Sequence, residues 1–215
     1  MGSTIENFLK NGVFFFLFLI SNLLYSQFYH GVEVGINMTN ANFKVNESAE
    51  PSNALGFYLG YMAERELTDN LYVRLGVNFN RREFKAINRR GINTSNEKWG
   101  IDNIEIPVNL GYYLNWNNRN FQFFVDVGVN LGFNNRGITK NEDETIRLDI
   151  GNDADIKRMT IGANTSFGIL IKKRIKVRLN YYNSLSNIMN TEGNTWKNKT
   201  LGISLSYFLR EKQVY

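Results

Sequence analysis

The 215-residue chain has the length of one domain. It has no cysteine, which excludes disulfides, thiolate metal sites, thiol nucleophiles and a lipoprotein anchor, and its single histidine, His30, removes most His-based metal sites and catalytic schemes. The net charge of +5 comes with no nucleic-acid-binding motif, so DNA and RNA are not expected partners.

The N-terminus reads as a targeting segment. Lys10 precedes a compact apolar run at 13–20, extended by Leu23, Leu24 and Tyr25, with the small Ser26 before Gln27. A positive flank, a short apolar core and a small residue before the cut describe a secretory signal peptide, expected at 1–26, with the mature domain at 27–215. The run is too short, and too broken by Ser21 and Asn22, for a transmembrane anchor. No later stretch has about 18 consecutive apolar residues, so no spanning helix is expected.

From Gly31 onward apolar residues recur at every second position. The rows fall at 32–38, 55–63, 71–79, 104–112, 121–133, 159–169, 175–181 and 201–209. A helix would repeat near 3.6; a period of 2 is that of a strand with two unlike faces. Aromatic content of 14% with a mean hydropathy of −0.33 fits long, half-polar strands. About eight strands of roughly ten residues are the length and number for a small barrel crossing a bilayer. Connections at 65–70, 114–120 and 171–174 are short, whereas 40–53, 81–99, 134–157 and 183–199 are long and polar. Short turns on one side and long loops on the other are the pattern of outer-membrane barrels, with both termini on the periplasmic side. The fold class expected is therefore all-β: an eight-stranded antiparallel up-and-down transmembrane β-barrel.

The rival fold is a soluble lipocalin-type barrel, with the apolar face inward. Two features favour lipid outside. Aromatics cluster near row ends at Phe79, Tyr112, Phe133, Tyr181 and Tyr207, as interface girdles do. The alternate face mixes glycine with mid-strand charge: Glu33, Arg74, Glu105, Asp126, Lys176 and Arg178. These six are expected to form an internal salt-bridge network plugging a narrow lumen, with Glu105 pairing Arg74. Pro107 lacks an N–H for the ladder and is expected to mark a bulge or bend. In the last row Thr200, Gly202, Leu205, Tyr207 and Phe208 have the spacing of a barrel insertion signal, read by the barrel-assembly machinery, although a tail from Arg210 to Tyr215 continues past it.

Four stretches carry a resemblance. They are Gly31-Val32-Glu33-Val34-Gly35-Ile36-Asn37, the run from Gly56-Phe57-Tyr58-Leu59-Gly60 through Leu67-Thr68-Asp69-Asn70-Leu71 into Leu75-Gly76-Val77-Asn78-Phe79, then Asn103-Ile104-Glu105-Ile106-Pro107-Val108, and Tyr181-Tyr182-Asn183-Ser184-Leu185-Ser186-Asn187-Ile188 with the closing stretch 198–209. Together they resemble the PorT-like outer-membrane β-barrel family, the "porin family protein" of Bacteroidetes-type bacteria. The resemblance implies mostly architecture. The family's namesake is tied to a secretion system, and no residue-level motif here carries that role across.

The remaining candidates are in the loops. Segment 81–99 is basic, and Arg81, Arg82, Lys85, Arg89 and Arg90 are read as contacts to lipopolysaccharide phosphate. Segment 134–157 is acidic, with Glu142, Asp143, Glu144, Asp149, Asp153 and Asp155; it lacks EF-hand spacing and is read as a solvated loop, with no metal or cofactor expected. Trp99, Trp116 and Trp196 read as interface anchors. His30 has no second histidine beside which to work, so no enzymatic activity is expected. The leading expectation is a non-enzymatic barrel of the bacterial outer membrane with a structural or loop-mediated role, in contact with lipid, lipopolysaccharide and envelope proteins. The alternatives are an accessory component of a secretion or uptake machine and a narrow small-solute channel.

Overall fold

The computed structural model describes residues 28–44, 49–90, 93–114, 120–141 and 144–210. The signal peptide expected at 1–26 lies outside them, as do Trp116, Glu142 and Asp143. Among the described residues nine strands follow one another: β1 (Phe28–Lys44), β2 (Ala49–Glu66), β3 (Leu71–Arg90), β4 (Asn93–Tyr113), β5 (Phe121–Lys140), β6 (Thr145–Leu148), β7 (Met159–Ile171), β8 (Ile175–Ser184) and β9 (Thr195–Phe208). Each long strand pairs antiparallel with the next, β5 with β7, and β9 returns to β1 from Gly31↔Phe208 to Lys44↔Thr195. Eight strands thus close into a barrel with no edge in the ring. The ninth, β6, folds back on β5 beyond it.

The period-2 rows are the outer wall. Val32, Val34, Ile36 and Met38 on β1 point outward, as do Val125, Val127 and Val129 on β5 and Leu201, Ile203 and Leu205 on β9. Val34 retains 53% of its exposure although Glu33 beside it is 2% exposed. The lipocalin arrangement is thereby excluded. Tyr61, Tyr112 and Tyr207 lie outward near the turn end, and Phe57, Phe133 and Tyr181 outward towards the loop end. Inward glycines admit large lumen side chains. Gly35 lies opposite Tyr58 and Gly111 opposite Tyr72, and a Cβ on either would meet the tyrosine ring at 2.5 Å or less. The β7–β8 turn is closed by Arg174 N–H donating to Ile171 O at 3.1 Å, with Lys172 and Lys173 both at positive φ.

Two expectations are corrected. Segments 40–53 and 81–99 are largely strand: β1 continues to Lys44, β2 begins at Ala49, and β3 and β4 extend to Arg90 and from Asn93. Alternation does not stop there but changes chemistry, with Ala41, Phe43, Phe84 and Ala86 turned inward. Pro107 marks no bulge. The β3–β4 pairing passes from Leu75↔Val108 to Asn78↔Glu105 in one register, and the Pro107 ring faces the lumen beside Gly76, which leaves it room. The register shifts instead between Asn53 and Phe57 and between Asp102 and Asn103.

Candidate functional site

The interior is filled at three heights. Nearest the turns, Tyr29, Met62, Tyr72, Tyr113, Phe124, Leu170 and Phe208 form an apolar plug. At its centre the Lys176 ammonium lies 4.0 Å from the Phe124 ring centroid and 4.1 Å from that of Tyr72, and donates to Glu64 at 2.7 Å. Tyr113 OH donates to the other Glu64 oxygen. Both charged groups have no exposed side-chain surface. The aromatic faces offer negative potential to the cation, which offsets part of the water it has lost.

The middle layer holds two carboxylates and two guanidiniums. Glu33 accepts from Arg74, from Arg178 at 3.1 Å, from Ser204 Oγ at 2.8 Å and from Tyr58 OH at 3.4 Å. Asp126 accepts from Tyr72 OH and Asn109 Nδ2, each at 3.0 Å, and lies 3.5 Å from Arg178. Above it, Glu105 is held by Arg82 through both oxygens and accepts from Asn80 at 3.0 Å, Asn130 at 3.2 Å and Asn103 at 3.3 Å. Arg82 also stacks over Tyr182 at 4.0 Å. Four buried acids (Glu33, Glu64, Glu105, Asp126) thus face four buried cations (Arg74, Arg82, Lys176, Arg178). Between the middle and upper groups lies a polar cavity of about 60 Å³, room for a few waters.

The third layer is an apolar cap inside the loop end. Phe43, Phe84, Trp99 and Trp196 pack ring against ring, with Phe43–Trp99 centroids 4.8 Å apart and Phe84–Trp196 5.4 Å apart. Ile156, Ile188 and Met189 come in from the loops to complete it. The loop backbones are tied together as well. Ile156 bridges Ile150 and Met189, and Asn190 Nδ2 donates to the carbonyls of Gly151 and Ala154.

All six residues expected in the lumen point inward and are buried, but in three separate groups. Glu105 pairs with Arg82, not with Arg74. The register sets Glu105 opposite Asn78, with Arg74 and Arg82 each two inward positions away; Arg74, on the turn side, reaches Glu33, and Arg82, on the loop side, reaches Glu105. Glu64 falls between the row at 55–63 and the turn at 65–70 and is not singled out by the sequence reading, which puts Arg82 in a loop; both continue the inward phase of their strands, through Met62 and Asn80, and that phase was the available signal. Arg82, expected at lipopolysaccharide, is therefore inside the barrel. Arg81 and Lys85 do face outward, Arg81 paired with Asp102 at 2.6 Å; Arg89 and Arg90 lie at the end of β3, their side chains outside the described set. Trp99 and Trp196 are core of the cap, not interface anchors, because both stand at inward positions. Gly202 and Phe208 face inward, Leu205 and Tyr207 outward. Among the described residues no group of three His, Cys, Asp or Glu is placed to hold a metal, and Asp155 accepts from Asp149 N–H at 2.9 Å. His30 stacks on Tyr61 on the outer wall.

The model of the outer membrane protein beta-barrel domain family matches residues 22–190. The chain belongs to that family. Its place is the bacterial outer membrane; in barrels of this kind the short turns are periplasmic and the longer loops extracellular. Among solved structures the barrel is similar to Ail, the attachment invasion locus protein of Yersinia pestis (TM-score 0.45, 10% identity, 85% of this chain and 99% of that one). It is also similar to Neisserial surface protein A (0.47, 13%, 83% and 96%) and to the outer membrane enzyme PagL (0.43, 8%, 81% and 98%). No curated protein matches the chain.

Proposed function

We propose that this outer-membrane barrel is a closed, non-enzymatic scaffold that strengthens the envelope and presents its extracellular end to a partner. The observation that carries this reading is the filling of the lumen at three heights. An eight-stranded barrel leaves an interior just wide enough for side chains, and here rings and ion pairs occupy it. Among the described residues each carboxylate buried in the lumen (Glu33, Glu64, Glu105 and Asp126) is engaged by cations, hydroxyls or amides, so none of these stands ready as a general base. The stretch from Asn103 to Val108, with Glu105 and Pro107 both turned into the lumen, supports the finer assignment to the PorT-like branch of Bacteroidetes-type bacteria.

The test is conductance of the purified barrel in a planar lipid bilayer. A closed scaffold gives no discrete current steps at ordinary voltages; steady unitary steps would overturn the reading in favour of a solute channel. Copurification of a large envelope assembly with the intact protein would identify the partner and mark an accessory role in secretion or uptake.

A further inference from the structure

The polar cavity between the middle and upper groups is rich in donors and poor in acceptors. Its volume is about 60 Å³, and its wall includes Glu33, Arg74, Asn78, Arg82, Glu105 and Arg178. The wall thus carries three guanidiniums and two carboxylates. Over the whole lumen the buried acids and cations balance, but the other members stand elsewhere. Lys176 pairs with Glu64 among the rings of the plug. Asp126 lies 3.5 Å from Arg178, takes its hydrogen bonds from Tyr72 and Asn109, and is not part of the cavity wall.

The hydrogen bonds are as uneven as the charges. Both oxygens of Glu33 are taken, by Arg74, Arg178, Ser204 and Tyr58. Both oxygens of Glu105 are taken as well, by Arg82, Asn80, Asn103 and Asn130. Four guanidinium nitrogens remain without a hydrogen-bond partner: Arg74 Nε, Arg82 Nε, Arg178 Nε and Arg178 Nη2. All three side chains are more than nine-tenths buried. Among the described residues of the wall, Asn78 Oδ1 is the one buried side-chain acceptor left over. Buried donors left unmade carry their full desolvation cost. Water answers this poorly, because each molecule brings two hydrogens that need acceptors the wall has already used. An anion brings acceptor capacity alone, and meets charge-assisted donors. We infer that the cavity holds a small monovalent anion of halide size, such as chloride, on the N–H groups of Arg74, Arg82 and Arg178 that the carboxylates leave free. The volume suits one such ion with a water beside it. The cap above and the plug below enclose the ion. It ties β3 to β8, which are not neighbours in the sheet. The inference does not depend on what the extracellular end presents.

The experiment is anomalous diffraction at the bromine absorption edge, from crystals of the intact barrel folded and grown in sodium bromide. The expected result is a bromide peak inside the lumen, in hydrogen-bond contact with Arg178 and with Arg74 or Arg82. A lumen without a peak, or bromide on the outer surface alone, overturns the proposal. Asn78→Asp sets a carboxylate among the same donors at nearly unchanged volume. This variant is expected to shift on heating in a gel as the wild type does and to show no lumen peak; a peak retained in it overturns the proposal. Should the variant fail to fold, the wild-type protein decides in solution as well. Its urea midpoint is expected to rise when bromide replaces gluconate, an anion too large for the cavity, at constant ionic strength, and equal midpoints overturn the proposal.

Discussion

The strands that run on past the membrane, β1, β3 and β9 among them, are written in two chemistries. On β1 the membrane section turns Val32, Val34 and Ile36 outward and Glu33 and Asn37 inward; beyond Thr39, Asn40, Asn42 and Lys44 face outward and Ala41 and Phe43 inward. β3 does the same, passing from Val77 out and Arg74 in to Lys85 out and Phe84 in, and β9 passes from Leu201 out and Ser204 in to Lys197 out and Trp196 in. One backbone thus runs from lipid into water without changing its pleat. Where lipid lies outside, the apolar side chains face it and charges must find one another within. Where water lies outside, the order reverses and the interior becomes an ordinary hydrophobic core. The level of inversion marks the membrane surface on these strands.

The comparison breaks most severely in the membrane section. Glu33→Ala removes the carboxylate shared by Arg74 and Arg178 and leaves two buried cations facing only Asp126. Loss of one member of a buried ion group costs about 3–5 kcal/mol, and the expected readout is a lower urea midpoint of the gel-mobility transition, with Glu33→Gln falling between the two. In the water section Trp196→Ala removes the ring that joins Phe43, Phe84 and Trp99. The loss expected is about 3 kcal/mol, but confined to the cap. Limited proteolysis should cut the extracellular loops at low protease while the heat-modifiable barrel remains, and simultaneous loss of both would refute the independence of the two sections.

How far the sequence disclosed this arrangement follows from the same inversion. The barrel, its strand order and its outward face were legible because apolar residues alone mark one phase at 32–38 and 121–133. The upper strand halves were not, since a reader following apolar outward residues loses the trail at Asn40 and Arg81, where outward becomes polar. Arg82 was taken for a surface cation and Trp196 for an interface anchor for that one reason. Counting phase through the polar stretch places both inward. The partition of the buried charges into three groups was beyond reach, because it depends on which strands meet across the lumen and at what height. Glu105 lies opposite Asn78, equally far along the ladder from Arg74 and Arg82, and what meets each arginine across the lumen decides between them.

The smallest effects sharpen the boundary itself. Val34 and Asn42 occupy the same outward phase of β1, eight residues apart, one below the inversion and one above. An arginine at the lipid face of a barrel costs about 2–4 kcal/mol near the midplane and falls to roughly 0–1 at the interface. Val34→Arg is therefore expected to lower folding stability in lipid vesicles by about 2–4 kcal/mol, and Asn42→Arg to change it by no more than about 0.5 kcal/mol. Measured by urea titration of the refolded proteins, the difference between the two variants isolates the solvent each position faces, since strand, phase and introduced side chain are shared. Met38→Arg, set between them, should give an intermediate loss. Equal losses at Val34 and Asn42 would place the lipid boundary above Asn42.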